Sequence, residues 1–190
     1  LAGKSDIIVP TGVGVLASGA YVYVTAYDSS VTPATGYVFA FSVDSAGVLT
    51  PLSGSPFAAG SQPSAVASDA SGAHLYVTDY AKGIVLAYSV DSSGGLTPVN
   101  GSPFPSGNQP SAVVVNRIYP FVYVTNSLDA TVTAYSVSNG VLTSLGNYST
   151  GQQPVAIGID PSTERFLYTA NYLGNNVSGF ELSITAGTLL

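Results

Sequence analysis

Few side chains in this sequence can move a proton or hold an anion. The 190 residues include one histidine, four lysines and arginines together, ten carboxylates and no cysteine. His74, Arg117 and Glu164 are the types that general acid–base chemistry with a stabilised oxyanion requires. They fall in three different segments with no shared setting. A lone histidine opening a strand reads first as a packing or surface residue, so no catalytic residue is assigned. The lack of Cys excludes thiol catalysis and thiolate metal sites. No Gly-x-Ser-x-Gly nucleophile elbow is present. Gly12-Val13-Gly14 sits on a strand rather than at a helix start, so it cradles no phosphate. The Asp91-Ser92-Ser93-Gly94 turn lacks the density of acidic ligands that calcium needs. No metal and no cofactor is expected.

A second set of residues is polar with little charge. Gln62, Gln109 and Gln153 each precede a proline, and Asp79, Asn126 and Asn171 each close a Tyr-containing strand. Tyr80 and Tyr172 follow directly. Amides and phenols in a ring suit hydrogen bonds to a polar ligand such as a carbohydrate, with tyrosine faces for sugar rings. The competing reading is structural: Asn and Asp also cap their own turns.

The elements that must place these residues are repeated. Tyr21-Val22-Tyr23-Val24-Thr25, Leu75-Tyr76-Val77-Thr78-Asp79, Val122-Tyr123-Val124-Thr125-Asn126 and Leu167-Tyr168-Thr169-Ala170-Asn171 are versions of one phrase. Their shared tyrosines, Tyr23, Tyr76, Tyr123 and Tyr168, recur at intervals of 53, 47 and 45 residues. A second phrase keeps the same beat at Phe39–Val43, Leu86–Val90, Thr133–Val137 and Ser178–Leu182. Val, Tyr, Phe and Thr suit a pleated, half-buried surface. Gly or Pro interrupts nearly every window long enough for a helix. A period of this length built from short strands and regular turns is a propeller blade. The fold expected is all-β: a propeller of four-stranded antiparallel blades, about four in this chain. Strand A is the small-residue segment after each proline, strand B the Tyr-Val-Thr phrase, strand C the Tyr-Ser-Val phrase and strand D the Leu-Thr-Pro segment. The approximate repeats are 10–62, 63–109, 110–153 and 154–190. Strand A, rich in Ala and Gly, should be innermost. The D–A and B–C loops then share one rim, which holds the Gln, Asn and Tyr set. His74, Arg117 and Glu164 belong to the opposite end.

Composition narrows the partners. Hydrophobic residues make up 46% and charged residues 7%, with a net charge of −6. That balance disfavours nucleic acid and anionic membrane surfaces. No apolar run is long enough to span a bilayer as a helix. Few charges with abundant Ser, Thr, Gly, Asn and Tyr suit an extracellular, cell-surface or periplasmic protein. The chain starts at Leu1 and lacks Met, and Gly187-Thr188-Leu189 matches Gly47-Val48-Leu49. These ends suggest a fragment of a larger propeller. Open faces on the first and last blades would then self-associate or take the missing blades. The alternative is a closed ring in which Asp6-Ile7-Ile8-Val9 completes the fourth blade.

Three features together resemble a known family. They are Tyr123-Val124-Thr125-Asn126, the Gln-Pro before strand A at Gln62, Gln109 and Gln153, and Leu-Thr-Pro followed by Gly-Ser-Pro-Phe at Leu49–Phe57 and Leu96–Phe104. They look like the YVTN/lactonase-like β-propellers, which include 6-phosphogluconolactonase-type proteins and surface-layer repeat proteins. The resemblance covers essentially the whole chain and implies propellers usually of seven blades. The matching residues are blade framework. The residues themselves therefore read as a non-enzymatic secreted or cell-surface scaffold for binding or assembly. The resemblance implies the alternative, a lactone hydrolase. A purely structural surface-layer array is the third reading.

Overall fold

The computed structural model describes residues 7–190, and all of its regular elements are strands. Blade 1 comprises β1 (Ile8–Val15), β2 (Tyr21–Asp28), β3 (Thr35–Val43), β4 (Leu49–Pro51) and β5 (Phe57–Ala58). Blade 2 comprises β6 (Pro63–Ser68), β7 (His74–Asp79), β8 (Ile84–Val90), β9 (Leu96–Pro98) and β10 (Phe104–Pro105). Blade 3 comprises β11 (Pro110–Val115), β12 (Phe121–Asn126), β13 (Thr131–Ser138) and β14 (Val141–Ser149). Blade 4 comprises β15 (Pro154–Ile159), β16 (Phe166–Asn171) and β17 (Asn176–Glu181), with an isolated bridge from Leu182 to Leu189. Each blade is one antiparallel sheet of sequential strands. The chain is thus a partial propeller of four blades, as the repeats imply. Ile8 and Val9 belong to blade 1, opposite Asp28 and Tyr27, so they do not complete blade 4. Asp6 lies outside the described residues.

Strand D is broken in blades 1 and 2 for a reason visible in the Gly-Ser-Pro-Phe motif. The break removes the ladder partner of Ala40 and Ala87. Their amides donate instead to the hydroxyls of Ser55 and Ser102, both at 3.0 Å.

Four blades make three interfaces, and burial follows from that. In β7 and β12 both faces are covered, and Leu75–Asp79 and Phe121–Asn126 are all buried. In β16 the pattern alternates: Leu167, Thr169 and Asn171 are buried, whereas Phe166, Tyr168 and Ala170 are exposed. Strand residues point alternately to the two faces, so blade 4 has one packed face and one bare one. Tyr168 is 48% exposed while its repeats Tyr23, Tyr76 and Tyr123 are fully buried. Blade 1 bares Val13 and Val15 at the other end of the arc.

The innermost strands β1, β6, β11 and β15 lie side by side. Each carries a β-bulge one residue after its proline, at Thr11, Ser64, Ser111 and Val155. A bulge re-aims a side chain, and here it turns a hydroxyl to the next blade. Thr11 Oγ1 donates to the Pro63 carbonyl at 2.6 Å, Ser64 Oγ to Pro110 at 2.6 Å and Ser111 Oγ to Pro154 at 2.7 Å. The strand-B threonine hydroxyls of Thr25, Thr78 and Thr125 lie within 3.0 Å of these same donors. Val155 holds the bulge position in blade 4 and has no hydroxyl.

Candidate functional site

The D–A and B–C loops meet on one rim. In blades 2, 3 and 4 the strand-A proline faces the last residue of strand B: Pro63 opposite Asp79, Pro110 opposite Asn126 and Pro154 opposite Asn171. The three facing side chains are buried and their polar atoms are used within the blade. Asp79 accepts from the amides of Ser61 at 2.7 Å, Gln62 at 3.1 Å and Ala81 at 3.1 Å. Asn126 Oδ1 accepts from Ser106 Oγ and Gly107 N, and Nδ2 donates to Thr131 Oγ1 and Thr133 Oγ1. Asn171, with its amide oriented to satisfy both ends, donates to Thr169 Oγ1 and accepts from Ser178 Oγ and Gly151 N. The side chain opposite each of these prolines holds the loop that leads into strand A. Asp79, Asn126 and Asn171 thus support the rim from below, with their polar atoms engaged within the blade.

The remaining members of the set stay at the surface. Gln62, Gln109 and Gln153 are half-buried, and Tyr172 is 68% exposed. The Tyr80 hydroxyl donates to Gln109 Oε1 at 2.8 Å, bridging blades 2 and 3. Two recesses open here. One of about 320 Å³ is lined by Thr11, Tyr27, Gln62, Ser64 and Tyr80. The other, of about 340 Å³, is lined by Gln109, Ser127, Leu128, Gln152, Gln153 and Leu173. The amides of Gln62, Gln109 and Gln153 are therefore divided between two interblade recesses around the rim. They offer donors and acceptors for hydroxyl groups without charge.

Two rim carboxylates are already engaged. Asp129 accepts from the main-chain and side-chain nitrogens of Asn108 at 2.7 and 2.9 Å. Asp28 accepts from Ser30 N and Oγ.

At the opposite end the structure gathers residues that the sequence left scattered. His74 Nδ1 and Asp69 Oδ2 are 2.8 Å apart, and the carboxylate orients the ring. Glu164 is buried and its Oε2 accepts the backbone amide of Arg117 at 3.0 Å. His74 and Arg117 line one cleft between blades 2 and 3. Arg165 is taken by Glu181 at 2.6 Å. Among the described residues no group of three or more His, Cys, Asp and Glu is placed to hold a metal.

Comparison with known proteins adds to this geometry. The sequence profile of a family described as "Lactonase, 7-bladed beta-propeller" matches residues 8–102 and 97–190. No match was found among curated protein sequences. Among solved structures, a candidate 6-phosphogluconolactonase from Bacteroides uniformis superposes with a TM-score of 0.82 at 17% identity, covering 95% of this chain and 52% of its own. A second candidate, from Bacteroides fragilis, gives 0.81 at 20% identity, covering 100% and 55%. The periplasmic gluconolactonase of Pseudomonas aeruginosa gives 0.75 at 20% identity, covering 95% and 52%. The chain spans about half the length of these proteins, and at such identities the likeness is one of fold. The two profile matches together run from residue 8 to the last residue, and so the chain belongs to the lactonase family of seven-bladed β-propellers.

Proposed function

We propose that this chain is part of a lactone-hydrolysing propeller whose substrate is a sugar lactone, bound at the rim that carries Gln62, Gln109 and Gln153. The observation that carries this reading is the match to the lactonase family along residues 8–190. The similarity to a gluconolactonase and to candidate 6-phosphogluconolactonases favours it over the non-enzymatic scaffold expected from composition. The rim suits the substrate class. A sugar lactone is uncharged at its ring and rich in hydroxyls, and neutral amides pair with hydroxyls without the desolvation cost of a charge. The exposed ring of Tyr172 offers a flat apolar surface beside them.

The bare faces of blades 1 and 4 fit the same reading. Val13, Val15 and Val177 are 57–67% exposed and Tyr168 is 48% exposed, and in blades 2 and 3 the matching strand faces are packed. Further blades of the same family unit would cover them. A periplasmic or extracellular location is the setting that the low charge favours.

The test is a pH-stat assay of the protein with gluconolactone, read against spontaneous hydrolysis. We expect turnover above background, and Gln109→Ala and Gln153→Ala to raise KM more than they lower kcat. A rate equal to background in the full protein would overturn the proposal.

A further inference from the structure

The repeats provide a standard against which departures stand out, and four of them coincide at one place. In blade 1 the Tyr23 hydroxyl crosses to blade 2 and donates to the Gly94 carbonyl at 3.0 Å. In blade 3 the Tyr123 hydroxyl crosses to blade 4 and donates to Gly187 at 3.0 Å. Both acceptors lie in the C–D turn of the following blade. Tyr76 of blade 2 should reach the C–D turn of blade 3 in the same way. That turn is one residue shorter than its blade 2 counterpart. Ser138 pairs with Val141 around Asn139 and Gly140, both at positive φ, which makes a tight two-residue hairpin. Among the described residues Tyr76 Oη is the buried side-chain polar atom without a hydrogen-bond partner.

The other departures surround it. The first residue of strand B is aromatic in blades 1, 3 and 4, at Tyr21, Phe121 and Phe166, but is His74 in blade 2. A Cβ at Gly140 would lie 2.9 Å from His74 Nε2, so the imidazole is seated against the short turn. The A–B loop is Ser-Gly-Ala in blades 1 and 2 but Arg117-Ile118-Tyr119-Pro120 in blade 3. Together these residues line a cleft of about 320 Å³ between blades 2 and 3, at the end away from the glutamine rim.

We infer that this cleft is a binding site for a small hydroxycarboxylate, held by the Arg117 guanidinium at its carboxylate and by the Tyr76 hydroxyl at its hydroxyl. The cleft is rich in donors. Arg117 pairs with no carboxylate side chain among the described residues, and a guanidinium matches a carboxylate. The carboxylate present, Asp69, is engaged by His74 Nδ1, Ser71 Oγ and Ala73 N. Burial, with the negative charge of Asp69 nearby, raises the Tyr76 phenol above its ordinary range and keeps it protonated. Val115, Phe121 and Val137 supply apolar walls for a short carbon body. At roughly 30 Å³ per water the volume equals about ten waters, the size of an acid of three to six carbons rather than of a polymer.

The chain contains a single histidine, so the His74 ring signals in an NMR spectrum report on this cleft alone. The experiment titrates the protein with lactate, 3-hydroxybutanoate, 4-hydroxybutanoate and malate, with sodium chloride at matched ionic strength. At least one acid should move the His74 signals saturably while chloride does not. Arg117→Gln and Tyr76→Phe should each weaken that acid by about tenfold. Butanoate, which lacks the hydroxyl, should bind more weakly than its hydroxylated forms and respond less to Tyr76→Phe. Absence of a saturable shift with all four acids overturns the inference, as does unchanged affinity in both variants or an equal response to chloride. A Gln153→Ala variant should leave the titration unchanged, which separates this cleft from the rim.

Discussion

Replacing Tyr76 and Tyr123 by phenylalanine should change stability in opposite directions. Both rings are fully buried and occupy the same repeat position. Their hydroxyls differ. Tyr123 Oη donates to the buried carbonyl of Gly187 at 3.0 Å, whereas Tyr76 Oη has no partner. Tyr123→Phe loses that bond and leaves the carbonyl unpaired, a cost of about 1–3 kcal/mol. Tyr76→Phe loses no bond and removes a hydroxyl whose unpaired burial is itself unfavourable, so it should gain about 1 kcal/mol. For a chain of this length each kcal/mol moves Tm by about 2–4 °C. Tyr76→Phe should therefore melt about 2–4 °C above the parent and Tyr123→Phe about 2–12 °C below it. Scanning calorimetry in carboxylate-free buffer measures both. Equal losses in the two variants would show that the Tyr76 hydroxyl is paired, and would remove the free donor on which the cleft's ligand chemistry rests.

Three further outcomes follow from the same geometry. Ser111→Ala, which deletes the 2.7 Å bond to the Pro154 carbonyl, should lower the denaturant-derived stability by about 1 kcal/mol, while Val155→Ala, at an exposed site without a hydroxyl, should stay within about 0.5 kcal/mol. Asn126→Ala removes four hydrogen bonds in a buried site and should cost ~1–3 kcal/mol; if it instead weakens lactone binding without lowering Tm, the supporting role is wrong. Burial raises the Tyr23 and Tyr88 phenols to about 12. Their folded forms hold the proton more tightly than the unfolded chain does, so this stabilisation is complete below about pH 10 and is lost as pH rises towards about 12; isothermal unfolding followed across that window, together with tyrosinate absorbance, checks it, and a flat profile would contradict it.

The architecture was legible because blade-building residues repeat. The tyrosine phrase, the turn clusters and the prolines each mark a strand or its boundary, and four copies average out local ambiguity. The small residues of strand A pointed to the axis for the same reason. The rim was only half legible. Asp79, Asn126 and Asn171 share with Gln62, Gln109 and Gln153 a repeat position at the same end, and sequence periodicity cannot distinguish a side chain that faces solvent from one that turns inward. The deciding fact is pairing: each of the three lies opposite a proline, which register alone reveals. Ring closure through Asp6-Ile7-Ile8-Val9 failed on pairing too, because Ile8 and Val9 extend β1 against β2. The cleft beside His74 had a signal in the sequence that went unused. It was the mismatch between the short Ser138-Asn139-Gly140 turn and the longer Asp91–Gly95 turn, set beside a histidine where other repeats carry an aromatic ring. Its meaning appeared only when the Tyr76 hydroxyl was found without the acceptor that the longer turns provide.

The bulge hydroxyls have a consequence for how such a chain grows. Blades 2 and 3 each carry both the donor, at Ser64 or Ser111, and the proline carbonyl that the preceding blade uses. Fastener and socket travel within one segment of the gene. A duplicated blade can therefore engage the original on one side and a further copy on the other, with no new contact to invent, and the number of blades can change while every junction keeps the same chemistry. Substituting Val for the hydroxyl residue, as at position 155, silences the fastener on one side and leaves the socket intact. A unit altered in this way can still be joined from behind, but whatever lies ahead of it is joined without this hydroxyl bond.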